Sequence, residues 1–104
     1  MPRPEDFALG RLRVDLVRRR VTAGDREVHL TPIEYRLLVT LINRADRVVN
    51  QREILEEVWG RDSERRPISL RVYMAQLRRK LEVNPSQPRH LLTVYGVGYR
   101  LALD

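Results

Sequence analysis

Apolar residues near the start of the chain alternate with polar ones, and from residue 31 onward they recur at helical spacing. Leu12-Arg13-Val14-Asp15-Leu16 has period two, and Val21 to Leu30 reads as two short strands folded around Ala23-Gly24-Asp25. With a further turn at Gly10-Arg11, residues 7 to 30 predict an antiparallel sheet of three or four short strands. Ile33, Leu37, Leu38, Leu41 and Ile42 then share one helical face, in a helix that should stop between Asn43 and Asp46. Its start is marked by Thr31 as N-cap, Pro32 at the first helical position and Glu34 at the third, a capping box. After a brief strand signal at Val48-Val49, Asn50-Gln51-Arg52-Glu53 repeats the capping pattern. Ile54, Leu55, Val58 and Trp59 form the apolar face of a second, shorter helix that Gly60 ends.

The last third of the chain holds the most specific pattern. Pro67 opens a third helix that runs to about Glu82, with Leu70, Met74, Leu77 and Leu81 at i, i+4, i+7 and i+11. So narrow an apolar stripe must face a core, which leaves the rest of the helix outside. Asn84-Pro85-Ser86-Gln87-Pro88 stops it, and strands at about 91 to 95 and 99 to 103 follow, joined through Gly96-Val97-Gly98. The predicted fold class is α+β: a winged helix-turn-helix with an N-terminal antiparallel sheet, three helices and a C-terminal β-hairpin wing.

The outer face of the third helix is unusual for a merely solvated one. It carries Ser69, Val72, Ala75, Gln76 and Arg79, flanked by Tyr73 and Lys80 on one side and Arg71 and Arg78 on the other, with no carboxylate before Glu82. Small and apolar side chains let a helix approach base edges closely, an amide can pair with adenine through two bonds, and flanking cations meet phosphates. A surface helix kept soluble by its arginines would show part of this pattern too. Gln76 has the chemistry of a base reader, and also suits an ordinary exposed position. Val72 could meet a thymine methyl or be buried against the wing; Trp59, at the end of a helix face, belongs with the core.

Composition narrows the partner. At 104 residues the chain makes one domain, and its net charge of +6 favours an anionic partner. A hydrophobic fraction of 42% is that of a globular domain, not a basic tail. Lys80 is the single lysine among 20 cationic residues; so strong an arginine bias suits bidentate phosphate and guanine contacts, and a GC-rich genome would produce it as well. There is no cysteine, no apolar run of membrane-spanning length and no signal peptide, so a cytoplasmic location is the default expectation. Catalysis, cofactors and metals find no support. His29 and His90 are isolated, Glu56-Glu57 and Glu5-Asp6 are adjacent pairs that diverge, and Gly96-Val97-Gly98 opens no helix, so it is read as a hairpin turn needing positive φ.

Several motifs together resemble the effector domain of OmpR/PhoB-type response regulators, the output half of bacterial two-component systems. They are Leu30-Thr31-Pro32-Ile33-Glu34-Tyr35-Arg36-Leu37-Leu38, Val48 to Leu55, Val58-Trp59-Gly60, Val72 to Leu81, and Gly96-Val97-Gly98-Tyr99-Arg100, in the family's order and spacing. Leu70 to Met74 and Pro88-Arg89-His90 are most similar to members that regulate potassium-transport genes.

The resemblance implies a third helix in the major groove and a wing at the adjacent minor groove. On this reading Ser69, Val72, Tyr73 and Gln76 face bases, Arg71, Arg78, Arg79 and Lys80 face the DNA backbone, and Thr93, Tyr95 and Arg100 belong to the wing. The loop residues Arg61, Asp62, Glu64, Arg65 and Arg66 correspond to a segment that contacts RNA polymerase in the family. Many members have Asp where Arg71 stands and Arg where Tyr95 stands, so minor-groove insertion of a wing cation is not carried over. Residues 1 to 6 read as the end of an interdomain linker and 7 to 104 as the effector domain, with the family's receiver domain absent. The partners implied are double-stranded DNA with direct repeats, the protein's own receiver domain, RNA polymerase, and a sensor kinase acting through the receiver; the fragment alone should be a monomer. Two other readings stay open: a winged-helix protein-interaction module, and a non-specific nucleic-acid binder.

Overall fold

A computed structural model describes residues 6–60 and 67–103, and for 67–69 the backbone alone. Four strands come first: β1 (Asp6–Leu9), β2 (Leu12–Asp15), β3 (Arg20–Ala23) and β4 (Arg26–Val28). They form an antiparallel sheet in sequence order, with Leu12 opposite Ala23 and Val14 opposite Val21, so that alternate residues supply one buried face. Then follow α1 (Pro32–Asn43), β5 (Val48–Asn50), α2 (Gln51–Trp59), α3 (Pro67–Leu81), β6 (Leu91–Val94) and β7 (Gly98–Leu101). β6 starts as expected and stops one residue early, and β7 starts one residue and stops two residues earlier than its hydrophobicity suggests.

One core joins every layer. Leu9, Leu12, Val14 and Val21 of the first sheet meet Leu37, Leu38 and Leu41 of α1, Ile54 and Val58 of α2, Leu70, Met74 and Leu77 of α3, and Leu91 and Leu101 of the wing. The predicted α3 stripe is therefore buried over its first three members, with Leu81 partly covered. Trp59 also packs against this cluster, its ring 5.6 Å from that of Tyr73. Burial raises the Tyr35 phenol above its usual range, and the Arg19 guanidinium, 5.4 Å from the ring centre, opposes that shift.

Both helix starts are capped as the sequence predicts, though not equally. At α1 the Glu34 backbone N–H donates to Thr31 Oγ1 (3.2 Å) and the Thr31 N–H donates to Glu34 Oε1 (2.9 Å), a complete capping box. At α2 the Glu53 N–H donates to Asn50 Oδ1 (2.8 Å), while the Glu53 carboxylate lies 4.0 Å from Arg44. There the box is half built, because its acidic member turns to an arginine at the end of α1.

The wing differs from the predicted two-stranded ribbon. The Val48-Val49 signal becomes β5, which pairs with β7 to give a three-stranded sheet in the order β5-β7-β6. The Gln51 N–H, at the first turn of α2, donates to Val97 O in the wing turn (3.0 Å). The strand before α2 and the tip of the wing are thus one unit.

That pairing also corrects the reading of the Gly-x-Gly turn. Gly96 has φ +79 and does supply the left-handed corner, closed by the Val97 N–H donating to Val94 O (3.0 Å). Gly98 has another reason to be glycine: a Cβ there would run into the Val49 carbonyl oxygen and come within 2.8 Å of the Asn50 Cα. Gly98→Ala should therefore destabilise the domain by about 3 kcal/mol, as an overpacked backbone contact does, and Gly96→Ala by only about 1 kcal/mol. Urea denaturation of the two variants checks the order; Gly96→Ala proving the worse would show that β5 does not press on β7.

Candidate nucleic-acid interface

Helical spacing alone places Val72, Ala75, Gln76 and Arg79 in one row of α3, opposite the buried stripe. In the folded chain Arg71, Val72, Ala75 and Arg79 are exposed, Val72 at 51%, and Gln76 is half-buried. Burial of Val72 against the wing is thereby excluded. Arg71 and Arg79 make no hydrogen bond or ion pair to another described residue. A protruding valine and a small alanine between two unneutralised guanidinium groups make a surface with apolar relief and positive charge, suited to an anionic groove whose floor carries methyl groups.

The other expected contacts lie differently. Tyr73 is half-buried and packed on Trp59, so its ring supports the flank of α3 rather than projecting from it. Ser69 falls within α3, but its side chain lies outside the described residues, as does the whole loop that holds Arg61, Asp62, Glu64, Arg65 and Arg66.

Two of the four cations assigned to the DNA backbone are turned inward. Lys80 Nζ donates to Glu34 Oε1 (2.6 Å) and to the His29 carbonyl (3.0 Å), tying the end of α3 to the capping box of α1 and to the link after β4. Glu34 is 1% exposed and needs that ammonium, because a buried carboxylate left with a single amide donor is costly. A lysine suits the place, with three donors that rotate to two acceptors. Arg78 Nε donates to the Leu91 carbonyl (2.9 Å) and its Nη2 to Thr93 Oγ1 (2.8 Å), and the guanidinium carbon lies 5.8 Å from the centre of the Tyr99 ring. Thr93 and Arg78 are thus partners of each other.

Sequence reasoning missed the residue that fixes the approach to the wing. Glu82, 8% exposed at the end of α3, accepts backbone N–H bonds from Arg89 (3.0 Å), His90 (2.9 Å) and Leu91 (2.7 Å). One signal was available: a carboxylate at the C-terminal end of a helix opposes the helix dipole, so its presence implies a specific partner. His90, in turn, has Nδ1 3.3 Å from the Ala102 carbonyl, and its N–H serves Glu82, a structural role.

At the wing tip Tyr95 is 90% exposed and Val97 is 49% exposed, a bare pair beside the turn. Arg100 lies behind it, 4.0 Å from Asp46. Such a tip offers ring and methyl surface to a partner, and no charge at its point.

Comparison with known proteins agrees with the fold. A family described as "Transcriptional regulatory protein, C terminal" matches residues 25–101. The chain belongs to the OmpR/PhoB-type response regulators. Among curated relatives of this family, the KDP operon transcriptional regulatory protein KdpE of Escherichia coli is 50% identical over 90 residues, covering 86% of the chain and 40% of that protein. The chain therefore spans less than half the length of this OmpR/PhoB-type relative. The DNA-binding domain of Klebsiella pneumoniae RstA, solved in complex with the RstA box, superposes with a TM-score of 0.86 at 27% identity, covering 96% of this chain and 99% of that one. Thermotoga maritima DrrB, an OmpR/PhoB homologue, gives a TM-score of 0.86 at 26% identity over 94% of this chain and 44% of its own. Among the described residues no helix is long and apolar enough to cross a membrane.

The inward turn of Lys80 has a consequence that stability can report. Lys80→Met should cost about 2 kcal/mol in urea denaturation, below the usual cost of breaking a fully buried pair because the ammonium is partly exposed. A variant as stable as the parent would show that Glu34 does not depend on this lysine.

Proposed function

We propose that this domain binds double-stranded DNA sequence-specifically as the output region of a two-component response regulator, with α3 in the major groove and the wing at the adjacent minor groove. The observation that carries the reading is the outward row of α3: Val72 and Ala75 exposed between Arg71 and Arg79, two guanidinium groups without partners among the described residues. In this reading Val72, Gln76 and Ser69 meet base edges, Arg71 and Arg79 meet phosphates, and Tyr95 and Val97 touch the minor-groove rim. Tyr73, packed on Trp59, supports this row from its flank. The role is regulatory, and no catalytic step is assigned.

The relatives support the finer parts of this proposal. RstA is described in complex with its box and KdpE as the regulator of the KDP operon; with the likeness of Leu70 to Met74 and Pro88 to His90 to members that regulate potassium-transport genes, those genes are the regulon we assign. A single helix reads few base pairs, so two copies on direct repeats about one helical turn apart, roughly 10 to 11 base pairs, would supply the missing specificity. In the full-length protein a receiver domain, addressed by a sensor kinase, would bring the copies together; the isolated domain would be a monomer. The 61–66 segment is assigned to RNA polymerase on resemblance alone, and the cytoplasm follows from the role.

Two substitutions separate readers from anchors. Against duplexes recovered by in vitro selection with the parent domain, Arg79→Ala should weaken every sequence about equally and flatten the salt dependence by roughly one phosphate contact. Gln76→Ala should leave the slope alone and relax preference at one position. Equal binding of selected and random duplexes by the parent domain would refute the proposal in favour of a non-specific binder. No binding to either would favour a protein-interaction module.

A further inference from the structure

Resting on the DNA-binding reading above, we infer that Arg78 is a positioning residue rather than a phosphate contact: it locks the wing at a fixed angle to the recognition helix and orients the Thr93 hydroxyl. The observations concern both wing strands at once. Its two hydrogen bonds reach the Leu91 carbonyl and the Thr93 hydroxyl, two residues apart on β6, and its guanidinium carbon lies 5.8 Å from the centre of the Tyr99 ring of β7. Thr93 and Tyr99 are cross-strand partners, so one side chain from α3 grips a rung of the wing ladder.

The geometry of the guanidinium is what makes this grip rigid. Nε and Nη2 point along one edge of the planar fork, and the two acceptors stand two residues apart on a strand. Rotation about the wing axis would break both bonds together. An ammonium in the same place could keep a charge near either acceptor, but not hold both in fixed directions and present a flat face to Tyr99.

A second consequence concerns Thr93. A hydroxyl has one proton to donate and two lone pairs to accept with. With Arg78 donating to Oγ1, a lone pair is occupied and the Thr93 O–H is free to donate elsewhere. Thr93 is only half-buried, so the proton can reach a phosphate oxygen beside the wing. Arg78 therefore acts on DNA through the wing, and its own charge is spent on protein acceptors and the Tyr99 ring.

Arg78→Lys discriminates between the two roles because it preserves the charge and removes the fork. The assay is binding to the duplex selected by the parent domain, with salt titration and with the bases beside the wing varied. A positioning role predicts that Arg78→Lys loses about tenfold in affinity, loses preference for the wing-side bases, and keeps the parental salt slope. Thr93→Val, which removes only the hydroxyl and keeps the side-chain shape, should show a similar loss in affinity. The double variant should be little weaker than either single one, since both break the same link. Parental affinity and wing-side preference in Arg78→Lys would overturn the inference, as would losses that simply add. Thermal melting separates these outcomes from unfolding, and the Thr93→Val comparison decides the case should Arg78→Lys melt early. Failure of the parent domain to prefer its selected duplex would count against the DNA-binding reading itself.

Discussion

The position of the wing depends on one buried carboxylate. Glu82 stands where α3 ends, and its two oxygens collect three consecutive backbone N–H groups of the segment that enters β6. Bonds to a charged acceptor in a largely buried site are worth more than neutral ones, and a donor left unmade there is expensive. The eight residues between Glu82 and Leu91 therefore return to the helix at a set place, in spite of two prolines and no regular structure of their own. Arg78, one turn earlier on α3, repeats the attachment from the other side. Helix and wing become a single rigid shape, as the proposed reading of neighbouring grooves requires.

The cations of α3 divide by what lies beneath them. Arg78 and Lys80 face acceptors that the fold itself supplies, a pair of wing oxygens in one case and a buried glutamate in the other. Arg71 and Arg79 are exposed, and no described residue answers their charge. Half of the charge on this helix thus holds the fold together, and the other half gives the net +6 of the chain an address on its surface. Salt should weaken the second kind far more than the first, because exposed charge is screened and buried charge is not.

Most of the architecture was legible in the sequence because it rests on local rules. The alternation at Leu12 to Leu16, the capping box at Thr31 and the stripe of Leu70, Met74 and Leu77 each fix an element within a few residues, and all three appear as read. The failures are long-range. Val48-Val49 announced a strand but not its partner, so the three-stranded wing went unseen, and with it the reason that Gly98 must lack a side chain. Arg78, Lys80 and Glu82 looked like surface charge, since helical phase places them at the edges of the buried stripe. Only the return of the wing, 13 residues after Arg78, and of Glu34, 46 residues before Lys80, supplies their partners. The exposure of the row from Arg71 to Arg79 was easier to read, because a surface that meets no other described element is defined by local phase alone.

The outward row and the wing tip are together the proposed DNA surface. Backbone amide chemical shifts followed by NMR while the selected duplex is added test it most directly, because they report every element at once. The largest changes should cluster in α3 between Arg71 and Arg79 and in the wing from Thr93 to Val97, with β1 to β3 nearly silent. Changes concentrated on the four-stranded sheet, with α3 unaffected, would contradict it.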